Sequence, residues 1–93
     1  MSTVQVSDRT ELEYYQVAVD GTRAGLAAYE LTGSVITFTH TEIDDAYEGQ
    51  GLGGMLARYA LDDARARGLR VRPLCPFIRG WIKRHPDYQD LVV

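Results

Sequence analysis

The chain has 93 residues, 45% hydrophobic and 25% charged, with 13 acids, 10 Lys or Arg, two histidines and one cysteine, for a net charge of −3. That length suits one small domain over residues 1–93, and a single cysteine excludes an internal disulfide. No apolar run reaches the length of a membrane span, the first residues carry no signal-peptide pattern, and an acidic chain without a basic, aromatic-interleaved run is a poor nucleic-acid binder, so a cytoplasmic protein is expected.

Residues 11–19 alternate, with Tyr15, Val17 and Val19 on one face, and predict a strand. Asp20-Gly21 is a hairpin turn signal, and residues 23–31 form the return strand. Thr32-Gly33 turns again into a β-branched strand over 34–43, so these three strands predict an antiparallel meander. Residues 44–50 read as a loop. Residues 51–67 predict a helix, with Leu52, Met55, Leu56, Tyr59, Ala60 and Ala64 on one face, closed by Gly68. Residues 69–75 read as a buried strand, parallel to 34–43 because a helix lies between them. Pro76 opens a short helix reaching about Arg84, with Pro86 beyond its end. The fold class is therefore α/β (α+β): a three-stranded meander, a helix, a parallel strand and a short C-terminal helix. The strand tyrosines and phenylalanine, and Met55, are expected in the core.

The most informative stretch is Glu48-Gly49-Gln50-Gly51-Leu52-Gly53-Gly54, with four glycines in seven residues. It links the β-branched strand to the helix. A helix N-terminus presents unpaired N–H groups and the positive end of the dipole, so this layout suits phosphate. Gly53 and Gly54 each cost the first turn about 1 kcal/mol against Ala, which suggests that something approaches the backbone closely there. A Walker loop would need Gly-Lys-Ser/Thr, and the only lysine is Lys83. Gly49-x-Gly51-x-x-Gly54 matches the dinucleotide pattern literally, but the next strand ends in Leu74-Cys75-Pro76 with no acid, and the chain is too short for a doubly wound domain.

The frame Q/R-x-x-G-x-G/A fits Glu48 to Gly53, with Glu48 where glutamine or arginine is usual. With the strand Phe38 to Ile43 before it, and Arg70 to Ile78 and Trp81 to Tyr88 after it, the chain resembles the GNAT N-acetyltransferases. The likeness is to the very small single-domain GNAT-like proteins with a cysteine after the fifth strand, and it spans about Tyr14 to Leu91. The resemblance implies acetyl-coenzyme A as cofactor and an amine as acceptor. It places the pyrophosphate on the N–H groups of Gly49, Gln50, Gly51, Leu52, Gly53 and Gly54. It lays the pantetheine arm along Thr41, Glu42 and Ile43, in a gap between the 34–43 and 69–75 strands.

Three side chains compete for chemical roles. Cys75 ends the last strand, near the acetyl group in the resembling fold. It either accepts the acetyl group, lies beside the thioester without reacting, or is a small buried hydrophobe. Glu42 is the candidate general base, with an exposed strand carboxylate as the competing reading. His40 shares the face of Glu42 and is either a proton relay or structural; His85 belongs to a turn. Two histidines and one cysteine show no metal-ligand spacing, so no metal is expected. Residues 1–50 hold nine acids and two bases, and residues 51–93 hold four acids and eight bases. The basic half suits a phosphate-rich ligand and the acidic half a cationic amine. The resemblance leaves little chain to enclose an acceptor, so a protein terminus, a lysine side chain or a polyamine all remain open. The expected state is a monomer or weak dimer. The competing reading is a coenzyme A-binding or protein-interaction module without catalysis; a nucleotide-binding fragment is the third.

Overall fold

The computed structural model describes residues 3–93. Within them a sheet of order β1-β2-β3-β4-β5 is built from β1 (Val4–Arg9), β2 (Tyr14–Val19), β3 (Thr22–Thr32), β4 (Val35–Ile43) and β5 (Arg70–Pro73). Helix α1 (Leu52–Ala66) connects β4 to β5, and α2 (Pro76–Arg84) follows β5. Strands β1 to β4 are antiparallel to their neighbours, and β5 is parallel to β4. The fold class is thus α/β, but its meander has four strands where the sequence predicts three.

The additional strand is β1. Its Val4 and Val6 alternate with polar Gln5 and Ser7, and it pairs in register from Val4↔Val19 to Arg9↔Tyr14. The predicted start of β2 at residue 11 is displaced to Tyr14, because Thr10–Leu12 forms a 3-10 turn closed by Glu13 in the left-handed region (φ 58°). Asp20 and Gly21 take positive φ, as a two-residue hairpin turn of this kind requires.

Both helices cover one face of the sheet. Tyr15, Val17, Ala27, Tyr29, Ile36, Phe38 and Val71 point into that core and meet Leu52, Leu56, Ala57, Ala60, Leu61 and Ala64 of α1. The opposite face carries Gln5, Ser7, Glu30, His40, Glu42, Arg70 and Arg72, all exposed. The apolar stripe of α1 is therefore rotated from the predicted one. Ala57 and Leu61 are buried, whereas Met55 (44% exposed) and Tyr59 (42%) lie on the rim. The face turned to the sheet alternates leucines (Leu52, Leu56, Leu61) with alanines (Ala57, Ala60, Ala64), which lets helix and sheet pack closely. Strand β5 is likewise not buried throughout: Val71 is inside, while Arg70 and Arg72 face solvent.

Two polar clusters fix the helices. The Tyr15 hydroxyl donates to Asp63 Oδ2 at 2.6 Å and the Tyr29 hydroxyl to Asp8 Oδ1 at 2.7 Å, while Arg67 bonds both Asp63 (3.2 Å) and Asp8 (3.3 Å). This joins β1, β2, β3 and α1. On the other side of α1, Arg58 lies over the Trp81 ring and bonds the Tyr88 hydroxyl, which itself donates to Asp62 at 2.7 Å. His85 stacks on Trp81 with ring centroids 3.7 Å apart and bonds the Trp81 carbonyl through Nδ1, so it closes α2 structurally.

Candidate functional site

The site is built where β4 and β5 part. Their parallel register runs from Val35↔Arg70 to Phe38↔Pro73, and the Cys75 N–H makes a last bond to the Phe38 carbonyl at 2.9 Å. Beyond it, among the described residues, nothing pairs with the β5-facing edge of β4 from Thr39 to Ile43. Two features bend β4 at this point. Tyr29 pairs with Phe38 and Ala28 with His40, leaving Thr39 as an extra residue in a bulge, which increases local twist. Further along, Gly25 on β3 lies so close to β4 that a Cβ there would sit 2.6 Å from the Glu42 carbonyl oxygen and 2.5 Å from Ile43 Cδ1. A side chain at residue 25 would push the end of β4 outward.

The glycine loop opens α1 beside this divergence. Asp45–Tyr47 form a 3-10 turn, and Gly49 and Gly51 both adopt left-handed φ (81° and 76°) that side chains disfavour. Gly51 is the N-cap, so it offers no side chain to the helix; the first intrahelical bond is Met55 N–H to the Gly51 carbonyl at 3.2 Å. The N–H groups of Leu52, Gly53 and Gly54 therefore have no acceptor among the described residues. That donor set fits an anionic group such as a pyrophosphate. Gly53 has a second role, which the sequence does not announce. A Cβ there would lie 2.8 Å from Phe77 Cζ, so its close neighbour is the first turn of α2. At Gly54 a Cβ would make ordinary contact with Trp81 Nε1, at 3.6 Å. Gln50 is exposed, and Leu52 sends its side chain into the core.

The candidate side chains divide between the two faces. Thr41 Oγ1 and Cys75 Sγ are 3.2 Å apart on the helix face of the gap, and Cys75, the N-cap of α2, is only 2% exposed. Glu42 pairs opposite Leu26 on the uncovered face, with its carboxylate 3.1 Å from His40 Nε2. His40 and Glu42 lie together as their two-residue spacing on one strand face predicts, while the Thr41–Cys75 contact spans 34 residues and has no local sequence signal. An open cleft of about 610 Å³ beside the loop is lined by Thr41, Glu42, Ile43, Asp44, Asp45 and Glu48. Its four carboxylates give it a negative field suited to a cation.

A family model described as GCN5-related N-acetyl-transferase matches residues 14–91. The chain belongs to this N-acetyltransferase family. Among curated relatives, Protein NATD1 of Gallus gallus is 30% identical over 90 residues, covering 95% of this chain and 82% of the relative. Protein NATD1 of Bos taurus is 38% identical over 64 residues, covering 68% and 57%. Two solved N-acetyltransferase structures share the fold. The solution structure of a GCN5-like putative N-acetyltransferase from Staphylococcus aureus superimposes with a TM-score of 0.75 at 21% identity, over 100% of this chain and 91% of that one. The ribosomal-protein-S18-alanine N-acetyltransferase of Escherichia coli gives 0.62 at 20% identity, over 76% and 64%. Among the described residues, no helix of this family member is long and apolar enough to cross a membrane.

Proposed function

We propose that this protein binds acetyl-coenzyme A at the parting of β4 and β5 and transfers its acetyl group to an amine. The observation that carries the reading is the juxtaposition of two unmet backbone surfaces. Among the described residues, the β5-facing edge of β4 at Thr39–Ile43 is unpaired and the α1 N-terminus at Leu52–Gly54 is uncapped, and Thr41–Ile43 share one cleft with Glu48 of the loop that leads into that helix. One ligand with both an amide-bearing arm and a pyrophosphate satisfies both, and such a ligand fits the family. When bound, acetyl-coenzyme A supplies an activated thioester.

The chain's own groups then have defined work. The N–H groups of Leu52, Gly53 and Gly54 hold phosphate oxygens, aided by the helix dipole. The edge of β4 orients the arm, and oriented binding is itself a large part of catalysis of this kind. Glu42, on the uncovered face, takes the proton of an incoming ammonium, directly or through water. The carboxylates of Asp44, Asp45 and Glu48 draw that cation towards the cleft. Cys75 and Thr41 line the closed end of the gap. The competing reading, coenzyme A binding without transfer, is favoured by the burial of Cys75.

Gly54→Asp tests the binding reading. A carboxylate in the first turn improves the helix dipole, and the space beside Trp81 admits the Cβ, so the apo fold should hold. Acetyl-coenzyme A at 100 times its Kd stabilises a protein by about 2.7 kcal/mol. In a domain of this size that raises Tm by roughly 10–20 °C. The wild type should show this rise and Gly54→Asp should lose most of it; equal rises would exclude the loop. Acetylation of an amine acceptor by the wild type separates transfer from binding alone.

A further inference from the structure

At the bottom of the gap, the last ladder bond, Cys75 N–H to the Phe38 carbonyl, closes the backbone. The next groups across the gap are the Thr41 hydroxyl and the Cys75 thiol, which satisfy one another at 3.2 Å. Phe38, whose carbonyl accepts that last bond, and Ile78, one turn into α2 from Cys75, are both fully buried and belong with Cys75 to the one hydrophobic core. The contact is therefore a wall with packed core behind it.

We propose that Thr41 and Cys75 form the end wall of the acyl site and set the chain length of the acyl group, admitting two carbons and rejecting longer chains. The inference rests on the binding reading above. An arm that runs from the α1 N-terminus along Thr39–Ile43 towards the closed end meets these two side chains before any others. Additional methylenes must displace them into the buried Phe38 and Ile78, where interiors packed to crystal density resist added volume. The discrimination that a well-fitted apolar pocket achieves is roughly 10- to 200-fold per methylene. The wall itself, and not a chemical property of the thiol, is what excludes the longer chain, so an isosteric hydroxyl should serve as well.

Titration calorimetry of coenzyme A, acetyl-coenzyme A and butyryl-coenzyme A against the intact protein tests this without any acceptor. The wild type should bind acetyl- over butyryl-coenzyme A by at least about 10-fold, the lower end for even one of the two additional methylenes. Cys75→Ala, which takes the sulfur out of the wall, should bring that ratio close to one. Thr41→Ala should reduce it, and Cys75→Ser should keep it. Each variant's ratio is read against its own affinity for unmodified coenzyme A, which carries no acyl group to meet the wall, and measurable binding of that ligand reports that the variant is folded. Equal affinity of the wild type for the two thioesters overturns the proposal, as does a ratio unchanged in Cys75→Ala while coenzyme A still binds. Failure of coenzyme A to bind the wild type removes the binding reading, and the wall falls with it.

Discussion

Replacing Tyr15 by Phe tests the polar lock between sheet and α1. Tyr15 is fully buried, and its hydroxyl donates at 2.6 Å to Asp63, which Arg67 also bonds at 3.2 Å. A hydrogen bond to a charged acceptor contributes about 1.5–3 kcal/mol, and the surviving Arg67 contact argues for the lower half of that range. For a domain of this size Tm should fall by roughly 6–18 °C at neutral pH. The pH dependence is more specific. Burial first, and then the bond to Asp63, push the Tyr15 phenol far above its ordinary value; burial and Asp8 push Tyr29 up to about 12. Both are raised, so their contribution is complete below the unfolded tyrosine value of about 10 and is lost as pH rises through the folded values. Between pH 10 and 12 each such phenol lowers stability by about 1.4 kcal/mol per pH unit, since the unfolded chain ionises first. Urea midpoints followed by circular dichroism from pH 8 to 12 read this slope. In Tyr15→Phe the alkaline slope should be shallower by about 1.4 kcal/mol per pH unit, the share of one group. An alkaline slope as steep as the wild type's would refute the lock.

Other expectations follow from the site. Gly25→Ala places a Cβ 2.6 Å from the Glu42 carbonyl oxygen, and overpacking of this kind costs about 1–3 kcal/mol, measurable as a lower urea midpoint; wild-type stability would disprove the close approach. Glu42→Gln should reduce turnover of an amine by about 10²- to 10⁴-fold at neutral pH, with cofactor affinity unchanged and the loss shrinking as pH rises and more amine is neutral. Full turnover across the pH range would return Glu42 to the surface. Trp81 is the only tryptophan and lies beside Gly54, so its fluorescence should change when acetyl-coenzyme A is added; an unaltered spectrum at saturation would place the ligand elsewhere.

The parts of this fold that sequence reveals are those fixed by local chemistry. Asp20-Gly21 dictates a hairpin, β-branched residues make β4, and glycines between a strand and an amphipathic helix mark the α1 N-terminus. Strand β1 was hidden because a half-exposed edge strand carries only two apolar residues, Val4 and Val6, and its pairing is non-local. On α1, Leu52, Leu56, Ala60 and Ala64 are buried as their spacing predicts, and only Met55 and Tyr59 depart from it. Hydrophobicity places Met55 and Tyr59 inside, but the docked helix turns Ala57 and Leu61 inward in their place, and only the assembled sheet sets that rotation. The dual position of Gly53, at the loop and under Phe77, and the meeting of Thr41 with Cys75 depend on where α2 docks. Arg58, Trp81, Tyr88 and Asp62 determine that docking, and no local pattern encodes it.

The most direct test of the central claim is an amide titration. In a ¹H–¹⁵N spectrum of the whole chain, added acetyl-coenzyme A should shift the amides of Gly49 to Gly54 and of Thr39 to Ile43, where the helix start and the β5-facing edge lack partners among the described residues. Amides of β1, at the far edge of the sheet, should stay in place. Shifts confined to other residues, or none at saturating ligand, would contradict a coenzyme site at the parting of β4 and β5.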